Sequence, residues 1–413
     1  VQVRPQRMQK KKLRVKQSVK TQKLPTAVYI TTAVGFFVAV GYGLIVPAIP
    51  LFAKSFGVNN TAIGLIVSTF AFARFSTGFV VGKVVEKFGE RLTLGIGLFL
   101  VAISTLLAGL AQSYWQLLIF RSAGGIGSMC FSVSANAILM RVVSSDLRGR
   151  AQATYNSGFL IGGMAGPAFG GLLTAISLRV PFFVYAVTLT IAGAVGLIYL
   201  NEKQLIHRHN LPTPSEPIHF RNAVKHFAYL SALVFAFLTN WVIFGLRNSI
   251  LPLFVRDQLH SSAAVVGYGF TVSAILQGIS LTFVGRLSDS KGRKLLLYVG
   301  WITILVADLT LAAATSPYFY YLSMAIFGIG AAFMGTGHSN IVGDLFGGRA
   351  PKAIASWQMA GDAGMIVGPI VLGYLADAHS YRVAFIASSI FFSLSLFFIL
   401  KMKETRVSSG LSK

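Results

Sequence analysis

The chain has 413 residues, of which 54% are hydrophobic and 12% charged, and its mean hydropathy is +0.68. A soluble domain carries roughly 25% charged residues, so the composition excludes an ordinary soluble protein and points to a membrane protein. The formal net charge is +24, but the basic residues sit in short loops and an N-terminal tail, which suits membrane orientation better than nucleic-acid binding.

The apolar runs are continuous and long enough to cross a hydrocarbon core of about 30 Å as helices. They do not alternate, which argues against a transmembrane barrel. Residues 1–25 form a basic tail, rich in Lys and Arg from Arg4 to Lys23. The apolar run that follows is too long for a signal-peptide core and is predicted to be a retained first span. The tail either touches anionic headgroups or only fixes orientation. Twelve spans are predicted. The first half, 26–200, holds 26–52, 61–81, 92–112, 115–140, 151–173 and 181–200. A polar linker, 201–227, carries Leu211-Pro212-Thr213-Pro214. The second half, 228–400, holds 228–254, 263–284, 295–315, 318–342, 353–376 and 382–400, and a short tail covers 401–413. His207 and His209 in the linker read as solvated. The single cysteine, Cys130, supports neither a disulfide nor a zinc site.

Of the 36 Lys and Arg residues, 29 fall on the side of the tails and linker and 4 on the other side. The positive-inside rule then places both termini in the cytoplasm. The remaining three, Arg74, Arg121 and Arg247, lie inside spans.

The two halves repeat each other. Gly82-Lys83-Val84-Val85-Glu86-Lys87-Phe88-Gly89-Glu90-Arg91 follows span 2. Its copy, Gly285-Arg286-Leu287-Ser288-Asp289-Ser290-Lys291-Gly292-Arg293-Lys294, follows span 8 at an offset of 203. Pro50-Leu51-Phe52 matches Pro252-Leu253-Phe254, and Gly125-Ile126-Gly127 matches Gly328-Ile329-Gly330. Gly162, Gly166 and Pro167 match Gly364, Gly368 and Pro369. Duplicated six-span halves are a transporter plan, with the substrate site near the midplane between them.

These residues resemble the major facilitator superfamily along the whole chain after the tail. Both charged loops are similar to its signature Gly-x-Leu-Ala-Asp-Arg-x-Gly-Arg-Arg. The second copy fits better, because Glu86 replaces the usual acidic Asp of the first copy and Glu90 stands where a basic residue is usual. Arg121-Ser122-Ala123-Gly124-Gly125-Ile126-Gly127 resembles the span-4 motif, whose arginine the resemblance links to proton coupling. Gly162-x-x-x-Gly166-Pro167-x-x-Gly170-Gly171 resembles the span-5 motif of drug:proton antiporters. The resemblance implies an all-α fold of two six-helix bundles working by alternating access. It also implies a gate role for the loop residues Gly82, Glu86, Gly89, Arg91, Gly285, Asp289, Gly292 and Arg293, for which plain cytoplasmic anchoring is the competing reading. Asp289→Asn is expected to slow transport more than Glu86→Gln.

Gly162, Gly166 and Gly170 make a side-chain-free ridge that lets a neighbouring helix approach closely. Pro167 removes a helical donor and bends the span. A fixed tight crossing and a moving hinge both fit this pattern. Ionisable groups inside a membrane are costly and are candidate functional groups. Asp362, near the middle of span 11, and Arg121 are the proton-coupling candidates. No acidic residue lies within the first six predicted spans, so a carrier carboxylate is expected in the second half. Tyr42, Arg74, Asn156, Arg247, Gln277, Trp357 and Gln358 are candidates for a substrate cavity. Arg74 and Gln277 are repeat mates, as are Asn156 and Gln358. His338 reads as structural, and Asp308 and Asp344 are expected near the membrane interfaces, with no site role assigned.

No phosphate loop, nucleophile motif or metal cluster is present, so neither an enzyme nor ATP drive is expected, and no cofactor. The sequence predicts a monomeric carrier of the bacterial plasma membrane, exchanging protons for drugs or small amphipathic metabolites. An uptake symporter or facilitator for a polar or anionic metabolite is the alternative, and a non-transporting sensor or scaffold a further one.

Overall fold

The computed structural model describes residues 23–143, 147–201, 225–346 and 351–405. The remainder of the basic tail, most of the linker with its two histidines, and the end of the C-terminal tail lie outside these residues. Twelve helices long and apolar enough to cross a membrane are present among them. The first half holds span 1 (Thr26–Lys54), span 2 (Asn60–Phe88), span 3 (Glu90–Leu110), span 4 (Tyr114–Arg141), span 5 (Arg148–Ile176) and span 6 (Val180–Tyr199). The second holds span 7 (Phe227–Asp257), span 8 (Ala263–Lys291), span 9 (Arg293–Ala312), span 10 (Pro317–Phe346), span 11 (Pro351–Ala378) and span 12 (Tyr381–Lys401). The even count places both described chain ends, the linker and both signature loops on one side of the bundle, called the linker side below. The opposite side is the far side.

Local chemistry sets the helix ends. Asn59, Ser113 and Ser380 each accept from a backbone amide in the first turn of spans 2, 4 and 12, satisfying donors that a helix start leaves unpaired. Spans 2 and 8 stop at Gly89 and Gly292, whose φ angles of 81° and 93° lie in the left-handed region that glycine adopts without penalty. Span 1 breaks at Val46 and Pro47, before a short second helix, Ala48–Lys54. Its counterpart, span 7, absorbs the same irregularity as a π-helical stretch, Trp241–Ile250. Such insertions are frequent at functional sites.

The glycine ridge on span 5 packs against span 1. A methyl at Gly162 would stand 2.6 Å from the Phe36 carbonyl, and one at Gly166 2.5 Å from that of Val40. In the second half, Gly364 meets Phe237 of span 7 and Gly368 meets Trp241. Close backbone contact therefore requires glycine at Gly162, Gly166 and Gly364, and leaves a methyl at Gly368 tight, 3.1 Å from the Trp241 carbonyl.

Candidate substrate cavity and interface between the halves

The halves meet along spans 2 and 11 and along spans 5 and 8. Toward the far side this seam is closed. Gly171 packs on Gly267 and Ala263, Gly64 on the carbonyl of Pro369, and Gly373 on Asn60 and Thr61. The Asp377 carboxylate accepts from the amides of Asn60 and Thr61 at 2.9 and 2.8 Å and from the Thr61 hydroxyl at 2.6 Å. It thereby caps the start of span 2 from the other half, where a helix carries its positive end. Ser68 donates to the Ile366 carbonyl at 2.6 Å, about two turns further in. Toward the linker side the seam opens: among the described residues, no neighbour lies within 4 Å of a Cβ built on Gly82, Gly163 or Gly285.

Two of the expected gate positions, Gly82 and Gly285, therefore make no close approach to a described neighbour in this conformation. Among the described residues, the signature-loop bonds to Leu197, Arg141, Leu400, Asp344 and Glu404 run within their own halves. Arg91 donates to the Leu197 carbonyl at the end of span 6, and Lys294 donates to the Leu400 carbonyl at the end of span 12 at 2.9 Å. Basic groups suit those carbonyl-rich helix ends. Glu90 pairs with Arg141 at 2.8 Å, and Arg293 pairs with Asp344 at 2.8 Å. Glu404 of the C-terminal tail accepts from the amides of Arg293 and Lys294, capping span 9. Glu86 is exposed, and the side chain of Asp289 lies outside the described residues.

A small cavity of about 20 Å³ lies between the halves, lined by Tyr42, Val46, Ile49, Ile66, Val67, Phe70 and Arg121 from the first and Asn248 and Met365 from the second. Arg121 is 4% exposed and its guanidinium lies over the Phe70 ring at 4.6 Å. Its buried Nε meets no acceptor among the described residues. The hydroxyls of Tyr42 and Tyr185 are within electrostatic reach of it.

The other predicted residues divide. Tyr42 lines the cavity. Arg74 donates to the hydroxyls of Ser128 and Ser132 on span 4, at 2.5 and 3.4 Å. It faces half-buried Asp362 of span 11 across the seam, within electrostatic reach. Gln277 is half-buried on span 8, while Asn156 and Gln358 are exposed, with Asn156 accepting from Gln152 one turn earlier. Trp357 stands beside His338 with ring centroids 5.5 Å apart.

Arg247 is a correction. It is not a cavity wall but lies inside the second half, 1% exposed, bonded to fully buried Asp308 at 2.9 Å and stacked 3.6 Å over Phe327. The π-helical turn directs Arg247 into the bundle and its neighbour Asn248 into the cavity. Sequence reasoning missed Asn248, Phe70 and Asp377. A polar residue directly after Arg247 was the available signal for the first. Phe70 carried none, and Asp377 looked like an ordinary span end.

The profile of the Major Facilitator Superfamily matches residues 31–254 and again residues 230–413. The chain belongs to the major facilitator superfamily. The protein is 27% identical over 374 residues to the multidrug resistance protein MdtG of Proteus mirabilis, covering 87% of this chain and 92% of that relative. It is 25% identical over 297 residues to multidrug resistance protein 2 of Bacillus subtilis, covering 70% and 73%. Among solved structures, it is similar to a bacterial homologue of the human lysosomal transporter Spinster in an inward-facing, unoccupied conformation. The TM-score is 0.77 at 16% identity, covering 93% of this chain and 98% of that one. The chain is thus an integral membrane transporter built as two six-helix repeats, not an enzyme.

Proposed function

We propose that this transporter is a proton-coupled exporter of drugs or small amphipathic metabolites, working by alternating access in a bacterial plasma membrane with its linker side in the cytoplasm. The observation that carries this reading is that Arg74 on span 2 and Asp362 on span 11 lie within electrostatic reach of each other across the seam, between its closed far side and its open linker side. Asp308 is bound to Arg247, whereas Asp362, near the middle of span 11, makes no such ion pair among the described residues. A charged Asp362 attracts Arg74 across the seam, and a protonated one does not. Proton binding therefore acts directly on an attraction between the halves, which gives it differential energy in the two states, as coupling requires. The names of the two multidrug resistance relatives support the substrate class. The bias of basic residues toward the linker side supports the orientation.

The test uses everted membrane vesicles holding a preset pH gradient. Addition of a transported drug should collapse the gradient in vesicles carrying the protein and leave empty vesicles unchanged. No response across a broad panel, together with uptake by whole cells, would sink the export reading.

A further inference from the structure

The three arginines inside the spans are in different electrostatic situations. Arg247 is neutralised by Asp308. Arg74 is held by two serine hydroxyls and faces Asp362. Arg121 is buried like Arg247, 4% against 1% exposed, and has no carboxylate to offset this among the described residues. The groups next to it are Tyr42 and Tyr185, both also within electrostatic reach of Arg74, with Asn248 hydrogen-bonded to the Tyr42 side chain. Arginine, phenol and amide all present hydrogen-bond donors to this cavity, and the rest of the lining is apolar.

A buried cation without a partner is strongly unfavourable unless something supplies the missing charge. An anion bound in this cavity would do so. The planar guanidinium, steadied from below by the Phe70 ring, suits a carboxylate or phosphonate bound through two parallel bonds. We infer that Arg121 is the anchoring residue for an anionic group on the transported molecule, so that the substrates are anionic amphipaths, with Tyr42 and Asn248 donating beside Arg121 and Val67 and Met365 contacting the apolar part. This inference rests on the transport reading above and narrows its substrate class. It also moves Arg121 from proton coupling, the role implied by resemblance, to substrate recognition.

The test is a binding titration on the full-length protein in lipid nanodiscs, with no gradient. The probes are dansylglycine, its neutral amide and the cationic dansylcadaverine, each corrected against empty nanodiscs. Wild type should bind dansylglycine about ten- to hundred-fold more tightly than the amide, the range expected for hydrogen bonds to a charged group. Arg121→Gln should abolish that preference, and Arg121→Lys should keep part of it. The inference is overturned if wild type binds the three probes equally, prefers the cation or binds none. It is also overturned if the preference survives in Arg121→Gln. Should Arg121→Gln fail to elute as a folded monodisperse species, the wild-type comparison and Arg121→Lys decide alone. Proton movement in vesicles is a separate readout. Anion preference without proton movement refutes proton coupling and keeps the anchor, and proton movement driven by cationic drugs without anion preference does the reverse.

Discussion

Glu90 pairs with Arg141 in the first half at the positions that Arg293 and Asp344 occupy in the second, 203 residues later, with the charges exchanged. The acidic residue that breaks the signature in the first loop is therefore half of a repeat-related ion pair. Since one geometry accepts both polarities, reversing both charges at once should be tolerated where reversing one is not. Arg141→Glu should lower the melting temperature of the purified protein, and Glu90→Arg combined with Arg141→Glu should restore it. The effect will be small, within about 1 kcal/mol, because Arg141 is 52% exposed. Asp344→Asn should cost more, since its partner Arg293 is largely buried and also holds the carbonyl and hydroxyl of Ser288. A double reversal no more stable than the single one would show that the two pairs are not equivalent.

Arg247 and Asp308 give a prediction of opposite scale. Both are buried, and removal of either leaves the other as an uncompensated charge. Asp308→Asn should destabilise the protein by about 3–5 kcal/mol and reduce the amount recovered from membranes. Replacing both with apolar residues of similar size, Arg247→Met with Asp308→Leu, should recover most of that loss, because the desolvation cost then vanishes for both partners. Thermal unfolding of the purified variants checks this. A double variant as unstable as the single one would mean that the pair itself holds the π-helical turn in place.

The repeat, the twelve spans and the close-packing glycines were legible in the sequence, because each rests on local chemistry: apolar length, a side-chain-free ridge, a proline. Tyr42 was accessible as a cavity residue because a polar group in a span has few places to point, whereas nothing in the sequence joined Arg74 to Asp362. Arg247 was misjudged because a π-helical turn shifts every later side chain around the helix axis. No count of 3.6 residues per turn anticipates that shift. Phe70 was invisible because an aromatic residue in a span is ordinary until its ring is found under a guanidinium. The exchange of charge between Glu90 and Arg293 is plain in the sequence, but its meaning needed the partners on spans 4 and 10.

Asp362 should be separable from binding. Asp362→Asn should reduce proton-driven flux to the background of empty vesicles while leaving expression intact. Exchange of labelled for unlabelled substrate, which needs no net proton movement, should persist. Arg74→Gln should weaken the coupling in the same assay without creating the buried unpaired carboxylate that a missing ion pair would leave, since Asp362 is only half-buried. Unchanged gradient-driven flux in Asp362→Asn would make that residue structural.

Asp377 holds the far side shut through three bonds to the start of span 2, all to a carboxylate and all between halves. Hydrogen bonds to charged groups are worth about 1.5–3 kcal/mol each, and these exist only while the far side is closed. Asp377→Ala should therefore shift the population toward the state open on the far side, and every 1.4 kcal/mol lost is a tenfold change in that ratio. Amide exchange over residues 60–64 should accelerate by at least about tenfold on this reckoning. Gly171→Leu should act in the same direction by a different route, since its side chain would enter the space held by Gly267. Asp377→Asn keeps one acceptor oxygen but not the charge, and should fall between wild type and Asp377→Ala. If exchange at the start of span 2 is the same in all three variants as in wild type, the far-side seam is held by packing elsewhere along spans 2, 5, 8 and 11, and the carboxylate is dispensable.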